Sequence, residues 1–145
     1  MIEVQSEVYK RLLADGSLSS LLAAYGAVPA IFSVPVPHDY IVGVLPSVLI
    51  DYPLGSDDDD TYSENYRNVD IRVRLYGKPD PSVGGTAKLN IAANAARDAL
   101  KTWGRSAVTG GEIISATVSG PVDAPTTDPT NAGRLLNVRL LVKEA

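Results

Sequence analysis

Cysteine is absent from the 145-residue chain. That excludes disulfides, thiolate metal sites and cysteine nucleophiles together, and it fits folding in a reducing cytosol, where packing must supply the stability. Histidine occurs once, so a zinc cluster lacks a second imidazole. Positive charge is also scarce: 13 Lys and Arg stand against 17 Asp and Glu, a net charge of -4. Phosphate capture draws on clustered cations, so nucleic acid is not an obvious ligand. Nor is there a long hydrophobic run. The longest low-charge stretch, residues 18–50, is interrupted by Pro29, Pro35, Pro37, His38, Asp39 and Pro46, which leaves no bilayer-length helix and predicts a soluble chain. The start, Met-Ile-Glu-Val-Gln-Ser-Glu, lacks the basic residues and apolar run of a secretory signal, so export by that route is not expected.

What is present is ordinary globular material, 45% hydrophobic and 21% charged, at a length suited to one core. The expectation is a single domain, 1–145. In residues 2–14, Val4, Val8 and Leu12 lie four apart, with Tyr9 and Leu13 beside them and Glu3, Glu7, Lys10 and Arg11 opposite, the pattern of an amphipathic helix. Glu7 is spaced to pair with Arg11, and Gly16 suits the C-terminal cap. Ser17 then caps a short second helix carrying Leu18, Leu21, Leu22 and Tyr25.

Residues 30–53 alternate β-branched side chains with proline, which predicts short or edge strands with irregular connections, one of them near 47–52. Residues 55–60 read as an acidic turn. The clearest strand follows: Val69, Ile71, Val73 and Leu75 alternate with Asp70, Arg72, Arg74 and Tyr76. After a Gly/Pro loop, Leu89, Ala93, Ala96, Leu100 and Trp103 recur at helical spacing, with Asn90, Asn94, Arg97 and Lys101 outward and Gly104 ending the helix. Two closing strands, 112–119 and 134–143, form an extended hairpin across a Pro/Thr/Asp-rich segment at 121–131. The fold class expected is α+β: a mainly antiparallel sheet of about four strands, with an N-terminal helix pair and one longer central helix packed on it.

Candidate chemistry is thin. His38 with Asp39 lacks a nucleophile placed by the sequence, and a loop histidine with a structural or solvent contact is the favoured reading. Asp57, Asp58, Asp59 and Asp60, with Glu64 nearby, have the ligand type of a calcium site but not its alternating spacing, so a solvated turn is favoured. Gly84-Gly85-Thr86 before a helix lacks the spacing and Lys-Ser/Thr pair of a phosphate loop. Arg72 and Arg74, with Arg67, form a basic stripe on the exposed strand face, read equally as a solvated face or an interface. No catalytic residue, metal site or cofactor is expected, and an enzyme is the least supported class.

The order of elements is itself informative: a helix pair, a Pro-rich segment ending in Leu45-Pro46-Ser-Val-Leu-Ile50, the strand Asn68-Val-Asp-Ile-Arg-Val-Arg-Leu75, an Ala-rich helix to Trp103 and two closing strands. It resembles the tail terminator, or tail completion, family of long-tailed bacteriophages and related gene transfer agents, in pattern over nearly the whole chain and without a catalytic motif. The resemblance implies a structural protein, made in the bacterial host cytoplasm and located in the virion tail. Such a protein forms a homohexameric ring on the tail tube, ends its polymerisation and joins the tail to the head, and it can stay monomeric before assembly. The implied partners are other copies of itself, the major tail tube protein and the head-tail connector protein, with DNA passing through the lumen without specific binding and no membrane involved. In that setting Asp70, Arg72 and Arg74 are candidates for the seam between subunits. The segments 55–62 and 121–131 are candidates for partner contacts, and Asp57 to Asp60 for a lumen-facing loop that repels DNA. The alternative is a small non-catalytic ligand-binding or regulatory α+β domain.

Overall fold

The computed structural model describes residues 2–58, 66–83 and 85–145. Its organising feature is the strand with the strongest alternation. β6 (Tyr66–Gly77) pairs antiparallel with β9 (Ala132–Glu144) in one unbroken register, from Tyr66 opposite Lys143 to Gly77 opposite Ala132. Because side chains alternate faces, this register sends Val69, Ile71, Val73 and Leu75 to the same side as Leu136, Val138, Leu140 and Val142. All eight are buried.

The remaining strands extend outward from this pair. On the β9 side come β8 (Gly111–Asp123) and β7 (Ser106–Val108). On the β6 side, β4 (Ser47–Ile50) and β5 (Leu54–Asp58) share the length of β6, and β3 (Ile31–Ser33) runs parallel to β4. The order is β3-β4-β6-β9-β8-β7, with β5 also joined to β6, and β1 (Ala24–Tyr25) and β2 (Val28–Pro29) form a separate two-stranded hairpin. The expectation of about four mainly antiparallel strands with a central helix is therefore wrong: the molecule is mostly one large mixed sheet, with few helices. Two physical reasons account for the error. Short strands such as β3 hold their place through neighbours despite weak local patterning, and proline-rich sequence conceals them. Residues 55–58, expected as part of an acidic turn, join Leu54 in strand β5 because β6 offers them a free edge.

Among the described residues, two α-helices pack on the inner face and a short third packs against them. α1 (Val4–Leu13) contributes Val4, Val8 and Leu12, as its spacing predicts. Lys10, not Arg11, pairs with Glu7, at 3.2 Å. Arg11 is drawn to the end of α3 (Ala87–Lys101), where its Nε donates to the Ala99 carbonyl at 2.9 Å, one of the acceptors a helix C-terminus leaves open. Ala14, not Gly16, caps α1, and the Asp15 carboxylate, not Ser17, caps α2 (Gly16–Ser19) by accepting from the Leu18 amide at 2.9 Å. α3 buries Leu89, Ala92, Ala93, Ala96, Ala99 and Leu100, its alanines allowing close approach to the sheet. It ends at Lys101 with Thr102 as its cap, two residues before Gly104, while Trp103 stays buried and its indole N–H donates to Ser106 Oγ at 3.0 Å.

Two substitutions test this account. Leu136 is fully buried at the centre of the inner face, so Leu136→Ala should cost about 2–5 kcal/mol in denaturant unfolding. Gly120 has φ +102°, and a Cβ there would lie 2.6 Å from the Leu135 carbonyl oxygen. Gly120→Ala should therefore cost about 1–3 kcal/mol although it removes no contact; an unchanged midpoint would contradict the register assigned to β8.

Candidate functional site

The sheet's other face is polar because the same alternation that sends Ile71 and Val73 inward sends Asp70, Arg72 and Arg74 outward. The register fixes their neighbours: Asp70 lies opposite Arg139, Arg72 opposite Asn137 and Arg74 opposite Leu135. Beyond β9, Thr117 lies opposite Arg139 and Ser119 opposite Asn137. With Leu54 at its rim, this face forms an open groove of about 620 Å³.

Two of the three predicted seam residues are already paired within the chain. Arg139 grips Asp70 through two bonds, Nε to Oδ1 at 2.8 Å and Nη2 to Oδ2 at 2.9 Å. Arg74 donates from Nε to Asp51 Oδ1 at 3.0 Å, makes a second short contact to the same oxygen through Nη2, and donates from Nη1 to the Tyr76 hydroxyl at 3.0 Å. Arg72 is held more loosely, with its Nε 4.0 Å from Asp51 and its side chain 46% exposed. Arg67 does not join the stripe. Odd-numbered residues of β6 face the other way, and Arg67 donates to Glu144 Oε1 at 2.7 Å, while Glu144 accepts from the Ile2 amide at 2.9 Å. That bond fastens the N-terminal segment to the last strand.

Asp51 is the residue that sequence reasoning missed. It directly follows β4, and its amide donates to the Arg72 carbonyl at 2.9 Å, which places its carboxylate over the two arginines. The available signal was an acid ending a hydrophobic strand next in the sheet to one rich in arginine, and reading it required the β4–β6 register.

Around the groove, Phe32, Leu49 and Ala30 form a second small core on the outer face, with Tyr25 and Tyr40 in edge contact with Phe32 at 5.3 and 4.8 Å. This core anchors the Pro-rich segment 34–46. Beside it, Val42, Arg74 and Tyr76 meet Pro125, Thr126, Thr127 and Asn131 around a hollow of about 250 Å³, so the 124–131 loop converges with the Pro-rich segment there. The Tyr76 ring lies across Gly133, where a Cβ would come within 2.9 Å of it. The region expected as the 121–131 loop begins later than predicted, because residues 121–123 still belong to β8.

The other sequence candidates gain no chemistry. His38 is exposed, and Asp39 accepts a 2.8 Å bond from the Tyr25 hydroxyl, which raises the tyrosine's pKa. Ahead of α3, Gly85 bridges to Asp80, whose carboxylate accepts from the Ser82 amide and hydroxyl; an acid there opposes phosphate binding. Gly84 lies outside the described residues. So do Asp59, Asp60 and Glu64, while Asp57 and Asp58 close β5. Among the described residues, no three His, Asp or Glu side chains cluster to hold a metal ion, and no helix is long and apolar enough to cross a membrane.

Comparison with known proteins gives no matching family model and no matching curated protein. Among solved structures, the fold is similar to that of a chain described as "Virion of native gene transfer agent (GTA) particle", with a TM-score of 0.69 and 20% identity over 97% of this chain and 94% of that one. At that identity the likeness establishes a shared fold.

The two bonds from Arg139 hold the Asp70 carboxyl below its usual range, with slight desolvation opposing them. A depressed folded-state pKa contributes stability that is present above the unfolded-state pKa and is lost as pH falls through the lowered value. Arg139→Ala should therefore raise the Asp70 titration, followed by carboxyl NMR, towards the ordinary range. With both side chains about half exposed, the accompanying stability loss at neutral pH should stay below about 1 kcal/mol.

Proposed function

We propose that the chain is a structural protein of a phage-like virion, and within that class a tail terminator: a ring subunit that caps the finished tail tube, stops its growth and joins it to the head connector. The observation that carries this reading is the fold likeness to a chain of a gene transfer agent virion, which spans nearly the full length of both chains. It is supported by the order of elements and by a polar sheet face flanked by two converging loops. A ring needs a rigid subunit with unlike surfaces facing each neighbour, and loops available above and below.

Within this reading the seam assignment is refined. Asp70 and Arg74 stiffen the face through their partners Arg139 and Asp51, and Arg72 is the residue of the three that reaches the neighbouring subunit. The Pro-rich segment displays Ile41, 83% exposed, together with Val44 and Leu45, an apolar group suited to the tube or the connector. We assign to the DNA path the acidic run Asp57, Asp58, Asp59 and Asp60, the last two outside the described residues, because negative charge there would keep the genome from adhering.

Deleting the gene from a producing strain should yield tubes of uncontrolled length and unattached heads in electron micrographs, restored by the wild-type gene. Normal particles without the protein would overturn the reading. Replacing all four aspartates with serine should slow DNA passage without disturbing assembly, and unchanged DNA ejection and infectivity would remove the lumen assignment.

A further inference from the structure

Among the described residues, each side of the large sheet carries a strand with an unpaired edge. β7 covers β8 only from Gly111 to Ile113, and β9 occupies the other side. Beyond Ile113, residues 114–119 (Ile-Ser-Ala-Thr-Val-Ser) have no strand on their outer side among the described residues. Natural edges are normally blunted by charge, proline or a bulge, because an open row of N–H and C=O groups templates another strand. This stretch has neither charge nor proline in a chain that is 21% charged. The irregularities lie at its ends, between Ile113 and Ser115 and between Ser119 and Val122, where Gly120 and Pro121 stop the pairing. They bound the open edge and do not blunt it. Ser115, Thr117 and Ser119 are exposed along it, and Ile113 and Leu140 secure the strand beneath.

At the opposite margin, β5 pairs with β6 alone, leaving its outer side without a strand among the described residues over the similar length of Leu54–Asp58. The two edges are compatible in charge. Pairing β5 with another β5 brings two acidic strands together, whereas the uncharged 114–119 edge presents nothing to repel Asp57 and Asp58. Joining unlike edges gives a head-to-tail contact, the kind that propagates around a ring, while joining β8 to β8 closes a two-fold pair and leaves β5 open.

We propose that residues 114–119 of β8 receive strand β5 of a second copy, so that the sheet continues from one subunit to the next. This rests on the ring reading and adds where the seam runs. Thr117 and Ser119 border the groove that holds Arg72, so an added strand brings the neighbouring copy alongside that face.

The test follows the full-length protein by light scattering up to its solubility limit, with hydrogen exchange on the monomeric and associated fractions. Amides 114–119 should exchange at least about ten-fold more slowly in the associated fraction. Thr117→Glu with Ser119→Glu places negative charge against the acidic β5 of the next copy, and should abolish association while leaving the circular dichroism spectrum unchanged and the melting midpoint no lower. In the cysteine-free background, Thr117→Cys should not form a disulfide-linked dimer, because unlike edges keep the two thiols apart. Association that survives the double glutamate variant, equal exchange in both fractions, or a Thr117→Cys disulfide dimer each overturns the edge assignment while leaving the ring reading intact. Where the wild-type chain stays monomeric in solution, the same double variant is read in particles: tube termination that survives it overturns the edge pairing alone, and a wild-type chain dispensable for termination removes the ring reading itself.

Discussion

The unbroken antiparallel pairing of β6 with β9 is the constraint on which the other features depend. A slip of one residue would turn every side chain of one strand to the opposite face, exposing Ile71 and Val73 and burying Arg72 and Arg74 without compensation. With the register held, burial of the odd-numbered residues of β6 and the even-numbered residues of β9 creates the floor on which α1 and α3 pack. The side-chain ladder on the other face follows without further instruction: Asp70 meets Arg139, and Asp51 comes within reach of Arg74.

The consequence is a sheet with one covered face and one that is only partly covered. Helices close the inner side, while the Phe32 and Leu49 cluster and the Pro-rich segment shelter one end of the outer side. What stays open is a polar groove stiffened by internal ion pairs, which presents preset geometry and little mobile charge. Pairs exposed to this degree contribute little to stability, so the physical case for them lies in shaping a surface. A surface of that kind, together with sheet margins that among the described residues end on unpaired strands, is the common ground of the two proposals.

Legibility in the sequence varied with the source of each element's stability. β6 and α3 were readable because the period of their own apolar residues specifies them: alternation from Val69 to Leu75, and helical spacing from Leu89 to Leu100. β3 and β5 were not, because an edge strand next to proline, or one rich in aspartate, owes its conformation to the strand it joins. That tertiary contribution turned an expected four-stranded α+β layout into a larger mixed sheet. The exposed face was named correctly for Asp70, Arg72 and Arg74, yet their partners were invisible, since Asp51 and Arg139 reach them only through cross-strand register. Arg67 was misplaced on that face although parity alone assigns it to the other. Arg11 was misassigned for a different reason: the carbonyls at the end of α3 outcompeted a local pair with Glu7.

The central proposal is a structural role in a particle, prompted by a fold likeness to a virion chain over nearly the full length of both. Cryo-electron microscopy of particles purified from a producing strain tests it most directly. Density of this fold is expected, repeated around the axis between tail tube and head connector, with the Asp70 and Arg72 face turned towards the neighbouring subunit. Complete, infectious particles in which this chain is absent from the density and from the protein composition would contradict it.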